Sequence, residues 1–489
     1  MKKEIIVLIV IFFIALGSRL FIAFQDSEFS DDESYFALRQ IENIKDTGKL
    51  IDYDELSYGG KKQIDSPFFY YFLTFFSFFM PLKLVGKIIP NVLASLLVFF
   101  FFFITRYLTN NNKISLLTAF ISGFIPIYFS RTVNSISVFS LVAPLIIFII
   151  YCLLRIDDKK FFNYLVVSIF VLSFTSSSSF LLIIALLFYL LFLKLEKLRL
   201  SRKEIELVLF STFLIVIVNF WIYKDAFLFH GASLIWQNFP KEMMEKYFLE
   251  FNLLGALYLI GIVPFVSGIY MIYYNLQKKK NKFTYLLISF AISAGLLLWF
   301  ELIRLRIGLM FLGIILVLLF AQFMKKFWIY LDRTKFSKYK NYALLGILLI
   351  FVLTSVYPSY TYANIEMKKN PGKDEISALA WLKQKDGKVL GLLDEGNLIT
   401  YYSGKENVWD SNFLMIGSID QIEKDVKYMF TTISETKGIE LLKKYNIKYI
   451  FYGKVRRMYG KIPYVNEKCF NIVYENSSVR VYELLCEIK

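Results

Sequence analysis

The chain has 489 residues, of which 57% are hydrophobic and 19% aromatic, and it carries a formal charge of +16. A soluble domain of this size lacks the polar surface to cover so much apolar side chain, which excludes a set of water-facing core helices. The basic residues gather in short loops between apolar runs (Arg155/Lys159/Lys160, Lys194–Lys203, Lys278–Lys282 and Lys325–Lys340), so the charge reports membrane topology and not a nucleic-acid partner.

In chain order, hydropathy predicts about eleven membrane spans: 4–24, 82–105, 113–130, 136–154, 161–175, 180–193, 205–223, 251–276, 283–300, 307–324 and 341–358. No small-residue cleavage site follows the first span, which therefore reads as an uncleaved anchor. Placing Lys2 and Lys3 in the cytoplasm puts every strongly basic loop on that side. The outer face then receives the loop 25–66, the segment Arg131–Ser135, the turn Thr175–Ser179, the loop 224–250, the turn Glu301–Arg306 and everything after Pro358. Pro67–Phe79 is apolar but too short to cross, and reads as a helix lying in the outer interface.

Beyond Asn364 the pattern changes. Short β-like runs (Lys388–Leu393, Tyr449–Tyr452, Asn471–Tyr474, Val479–Leu484) alternate with helical segments (Lys373–Lys385, Ser418–Tyr428, Ser434–Lys444). The expected fold is a polytopic α-helical membrane domain over 1–358, with a small extracytoplasmic α/β domain over 359–489 that ends in a hairpin turned at Glu475–Ser478. Cys469 and Cys486 flank the open end of that hairpin, in register for either a disulfide or two separate thiols.

The loop 25–66 holds eleven acidic residues against five basic ones, densest at Ser30-Asp31-Asp32-Glu33-Ser34-Tyr35. Adjacent carboxylates repel one another, so Asp31 and Asp32 are candidate ligands for Mg²⁺ or Mn²⁺, with Asp32, Glu33 and Asp31 as candidate bases for an attacking hydroxyl. An amphipathic helix closed by Gly48 follows, then Leu56-Ser-Tyr-Gly-Gly60 and Asp65-Ser-Pro67. Here the sequence resembles the GT-C superfamily of membrane glycosyltransferases, with Asp32-Glu33-Ser34-Tyr35 matching their D-E-x-x-Y motif. The resemblance implies transfer of a sugar from a polyprenyl phosphate or diphosphate, such as a dolichyl carrier, to a glycan, lipid or protein acceptor on the outer face.

The tail is similar to the oligosaccharyltransferase catalytic subunit. Leu392-Leu-Asp-Glu-Gly396 stands where that family has WWDYG, and Ile439–Phe451 looks like its helix followed by a K-Y-V-x-V strand. Only Asp394 and Gly396 fit the first motif, which makes Asp394 a candidate acceptor contact. The second acidic pair of those enzymes is missing: the matching stretch, Arg131-Thr-Val-Asn-Ser-Ile-Ser-Val-Phe-Ser140, has no carboxylate. Arg304 and Arg306, outside against the positive-inside bias, are candidates to hold the departing phosphate, with Arg131 as a third. The alternatives to a glycosyltransferase acting on such a donor are an oligosaccharyltransferase for protein N-glycosylation and an inactive relative that binds lipid-linked glycan or scaffolds a glycosylation complex.

Overall fold

A computed structural model describes residues 2–236, 253–278 and 281–486. The first helix, α1 (Lys2–Ala23), is apolar on all sides. Its 22 residues reach about 33 Å at ~1.5 Å per residue, enough for a hydrocarbon core of about 30 Å. Among the described residues six helices are long and apolar enough to cross a membrane, or up to eight when each of two bent pairs counts as one span. Shorter apolar helices at Phe68–Ser77, Phe139–Leu154 and Ser179–Leu195 fill out the bundle.

The bends have local causes. The predicted span 113–130 divides into Asn112–Gly123 and Pro126–Thr132 at an angle of 46°, where Pro126 can begin a helix but not continue one. The described part of the span 251–276 breaks by 97° at Gly261, whose φ of +97° suits only glycine and whose added Cβ would lie 2.6 Å from Ser355 Oγ. The last helical stretch does not stop at 358. It continues from Lys340–Phe351 through a π-turn at Val352–Val356 into Tyr357–Met367. Pro358 directly follows that π-turn, and a proline, which lacks an N–H and crowds the carbonyl one turn before it, is a common cause of such a local break in the helical ladder. The helical body therefore runs about nine residues past the expected boundary.

After α1 come α2 (Glu33–Thr47) and a two-stranded ribbon, β1 (Tyr53–Asp54) and β2 (Lys61–Lys62), then α3 (Phe68–Ser77) and α4 (Leu82–Ser95). The C-terminal region holds four strands, β3 (Lys388–Leu390), β4 (Ile447–Tyr452), β5 (Phe470–Glu475) and β6 (Arg480–Leu484), in the order β3-β4-β6-β5. The β3–β4 pair is parallel and the other two pairs antiparallel. Cys469 and Cys486 form a disulfide at the open end of the β5–β6 hairpin.

Three cores hold this together. One lies among the membrane helices around the largely buried helix Leu305–Asp332. A second is built almost wholly from residues 390–470. The third joins Phe29, Tyr35, Leu38, Ile41, Leu73 and Val85 to Leu379, Leu398, Ile399, Tyr449 and Phe451. The acidic first loop and the C-terminal sheet thus share one hydrophobic interior.

Candidate functional site

The segment between α1 and α2 is fastened on three sides by buried polar groups. Glu28 is buried and accepts hydrogen bonds from Lys83 Nζ (2.7 Å), Tyr402 Oη (2.5 Å) and Tyr35 Oη (3.2 Å). Lys87, one turn beyond Lys83 on α4, donates to the Glu28 carbonyl at 2.6 Å and to Asn134 Oδ1. The Asn134 amide in turn donates to the Glu28 carbonyl, Ser30 Oγ and Asn370 Oδ1. Asn134 is therefore spent on fastening this loop. Sequence reasoning missed this network. Its signal was the pair Lys83/Lys87 at helical spacing inside an apolar helix, where each charge must have a partner.

The three carboxylates of the acidic run have three different environments. Asp32 reaches into the C-terminal region: its oxygens accept from the backbone amides of Asn397 (3.0 Å) and Leu398 (2.8 Å) and from Asn397 Nδ2 (2.8 Å). Those amides belong to the start of the helix Gly396–Ser403, so Asp32 supplies the acceptor for that helix's N-terminal N–H groups from 365 residues away in sequence. Burial pushes its carboxyl up to about 8, against the pull of these donors. Gly396 is needed at the junction because a Cβ would run into the Trp409 carbonyl and Asp410.

Asp31 accepts the Ser34 hydroxyl, and Ser34 Oγ accepts the amide of Ile136. Burial raises the Asp31 carboxyl to about 7, with the Glu33 charge adding to the rise while Ser34 and Arg131 oppose it. Glu33 pairs with Arg304 at 2.9 Å and keeps 54% of its side chain exposed, so it lines an open recess. Desolvation raises the Glu33 carboxyl, but Arg304 and Arg131 together outweigh it and hold the group below the usual range.

Arg306 pairs with Glu366 at 2.9 Å, and Glu366 also holds Lys369 at 2.8 Å. Arg131 lies within electrostatic reach of Arg306, Glu366, Asp31 and Glu33. The structure therefore gathers Asp31, Glu33, Arg131, Arg304 and Arg306 at one end of the helical body, together with Glu366 and Lys369.

Asp394 is not in this group. It sits exposed on the turn Leu393–Glu395, toward Tyr459. Its neighbour Glu395 is the buried one, accepting from the Leu392 amide at 3.0 Å and raised by burial to about 7. The Gly-rich turn after β1 also serves the tail: Ser57 Oγ and Asn407 Nδ2 donate to Asp410 Oδ2, and Lys61 pairs with Asp410 at 3.3 Å in a buried setting. Lys62 pairs with Asp225. His230 meets the Leu414 carbonyl, while the part of the predicted loop 224–250 from 237 onward lies outside the described residues.

The expected Mg²⁺ or Mn²⁺ role of Asp31 and Asp32 does not fit this donor set. Both Asp32 oxygens are taken by N–H groups, and among the described residues no group of three or more His, Cys, Asp or Glu side chains is placed to hold a metal ion. What the recess offers is three guanidinium groups with carboxylates between them, an arrangement suited to a phosphate and a proton transfer beside it.

No family model and no curated protein sequence matches the chain. Solved structures do. The oligosaccharyltransferase of Archaeoglobus fulgidus tethered with an acceptor peptide aligns at a TM-score of 0.72 and 16% identity, over 99% of this chain and 74% of that one. The same archaeal protein, AglB, in complex with an inhibitory peptide and a dolichol-phosphate gives 0.71 at 15% identity, over 93% and 70%. ArnT from Cupriavidus metallidurans in the apo state gives 0.58 at 12% identity, over 98% and 97%. The chain shares its overall fold with these solved structures.

Proposed function

We propose that the chain is a membrane glycosyltransferase that takes a sugar from a polyprenyl-phosphate or -diphosphate donor and passes it to an acceptor hydroxyl or amide at the outer membrane face. The observation that carries this reading is the gathering of Arg131, Arg304 and Arg306 beside Asp31 and Glu33. Two of the structures sharing the fold hold a lipid phosphate, dolichol-phosphate in AglB and undecaprenyl phosphate in ArnT.

In the proposed step an acceptor oxygen or nitrogen attacks the anomeric carbon as its proton passes to Asp31. The bond from that carbon to the phosphate oxygen breaks, and its electron pair stays on the leaving lipid phosphate. A carboxylate raised to about 7 is suited to take a proton near neutral pH. Arg304 and Arg306 neutralise the charge that develops on the phosphate, and Glu33 and Glu366 hold them in place until it arrives. Asp32 acts as a positioning residue, joining the acidic run to the helix Gly396–Ser403.

Orientation is part of the proposal. Glu4, Leu108, Lys113, Lys325 and Asn341 meet at the other end of the bundle, and the basic-loop pattern assigns that end to the cytoplasm. The Cys469–Cys486 disulfide supports an oxidising compartment for the C-terminal region.

A second reading, binding of lipid-linked glycan without turnover, is favoured by the commitment of Asp32 to the helix Gly396–Ser403. Purified protein in nanodiscs, given a radiolabelled polyprenyl-phosphate sugar and an extract of membrane acceptors, should yield labelled product. Asp31→Asn should reduce the rate at least a hundredfold. Donor binding with no product under any metal condition would select the second reading.

A further inference from the structure

A cavity of about 150 Å³ opens beside the arginine recess, lined by Asp65, Ser66, Phe69, Tyr70, Val138, Thr175, Ser176 and Tyr223. No motif marks it, because its walls come from five stretches: the end of the first loop, α3, Val138 before the helix Phe139–Leu154, the turn at 175–176 and the helix Arg202–His230. It is next to the site already described, since Tyr70 interacts electrostatically with both Asp65 and Glu33, and Glu33 holds Arg304.

The polar groups of the cavity are only partly used by the protein. Gln63 Nε2 (2.8 Å) and Gln40 Nε2 (3.1 Å) both donate to Asp65 Oδ2. Among the described residues none donates to Asp65 Oδ1, and the Tyr70 hydroxyl likewise has no hydrogen-bond partner there. Tyr223 Oη and Ser66 Oγ share one hydrogen bond at 3.3 Å. The lining therefore combines three aromatic rings, a carboxylate with an open oxygen and several hydroxyls. A carboxylate oxygen accepts two vicinal hydroxyls, and aromatic faces cover the C–H face of a sugar ring. A purely lipidic ligand would cover Asp65 Oδ1 and the Tyr70 hydroxyl without giving either a partner, which is costly where water is excluded.

We infer that this cavity is a pyranose subsite, with Asp65 Oδ1 accepting from ring hydroxyls and Tyr70 and Tyr223 framing the ring. The inference rests on the proposed function for its biological meaning and specifies that site's ligand as a six-membered sugar next to the phosphate. The sugar belongs either to the lipid-linked donor or to the acceptor, and the chemistry of recognition is the same.

The test uses purified protein in nanodiscs and saturation-transfer NMR with methyl α-D-glucopyranoside, methyl α-D-mannopyranoside and methyl N-acetyl-α-D-glucosaminide. At least one glycoside should receive saturation from the wild type. Asp65→Asn should weaken that binding at least tenfold, and Val138→Trp, which fills the cavity, should abolish it. Arg304→Ala should leave the glycoside signal intact while weakening binding of undecaprenyl phosphate. A Tyr70→Phe variant with a wild-type unfolding midpoint guards against misfolding and should also weaken the glycoside. No signal from any glycoside, or a signal unchanged in both Asp65→Asn and Val138→Trp, overturns the subsite. Glycoside binding with no undecaprenyl phosphate binding keeps the subsite and rejects the lipid-donor reading. If glycoside binds through the cavity, polyprenyl-phosphate sugar binding tighter than bare polyprenyl phosphate, with the difference lost in Asp65→Asn, places the donor's sugar there. No such difference leaves the acceptor's.

Discussion

Replacing Asp32 separates a chemical from a positioning role. In Asp32→Ala the backbone amides of Asn397 and Leu398, both buried, lose their acceptor, while Asn397 Nδ2 still has Ser411 Oγ at 3.3 Å. Two orphaned donors at about 1–3 kcal/mol each give a loss of roughly 4 kcal/mol. For a chain of 489 residues, at about 2.1 cal/mol/K of unfolding entropy per residue, that corresponds to a drop of roughly 4 °C in the unfolding midpoint. Asp32→Asn keeps one oxygen for the amides and should lose about half as much. The assay is thermal unfolding of the purified protein followed by tryptophan fluorescence, with limited proteolysis to locate the loosening. Cleavage should appear first around 396–403. An Asp32→Ala protein with the wild-type midpoint would refute the anchoring role. An Asp32→Asn protein that is fully stable but has no turnover would return Asp32 to the position of base.

Two further outcomes follow from buried charge and a third from the disulfide. Lys61→Met leaves Asp410 buried without its cation, which should cost about 3–5 kcal/mol in unfolding measurements; Lys61→Met/Asp410→Asn should recover part of it, and equal losses in the single and double variants would contradict the pairing. Asp31, Asp32, Asp65 and Glu395 are all raised by burial, to about 7, 8, 6 and 7. The folded state then holds more protons than the unfolded chain between about pH 4 and 8, so stability should fall as pH rises through that window. Unfolding midpoints at pH 5 and pH 8.5 check this, and a midpoint that rises with pH would reject it. Protein made in intact cells and alkylated without reduction should be unlabelled at Cys469 and Cys486; free thiols there would place the C-terminal region on the cytoplasmic side.

The apolar runs and the alternation in the tail were legible because each depends on local pattern. The hairpin at Glu475–Ser478 and its flanking cysteines were readable for the same reason: β5 and β6 are adjacent in sequence. Asp32 was visible as part of an acidic run, but its partners lie 365 residues on, and no spacing rule reaches that far. Glu28 was passed over because it stands alone before the run, although Lys83, Lys87 and Tyr402 converge on it. The boundary at 358 was drawn at a proline, which reads as a helix breaker. Here it sits in the first turn of a segment that carries the helix on to Met367. The cavity beside Tyr70 was invisible because residues 65–70, 138, 175–176 and 223 build it together.

The central claim is that the three arginines receive a lipid phosphate. Its most direct test is a cryo-EM structure of the protein in nanodiscs with undecaprenyl phosphate. The account predicts the phosphate within hydrogen-bond distance of Arg304 and Arg306, beside Arg131, with the Glu33–Arg304 or Glu366–Arg306 pair opened to admit it. A phosphate bound elsewhere, with both ion pairs intact, would contradict it.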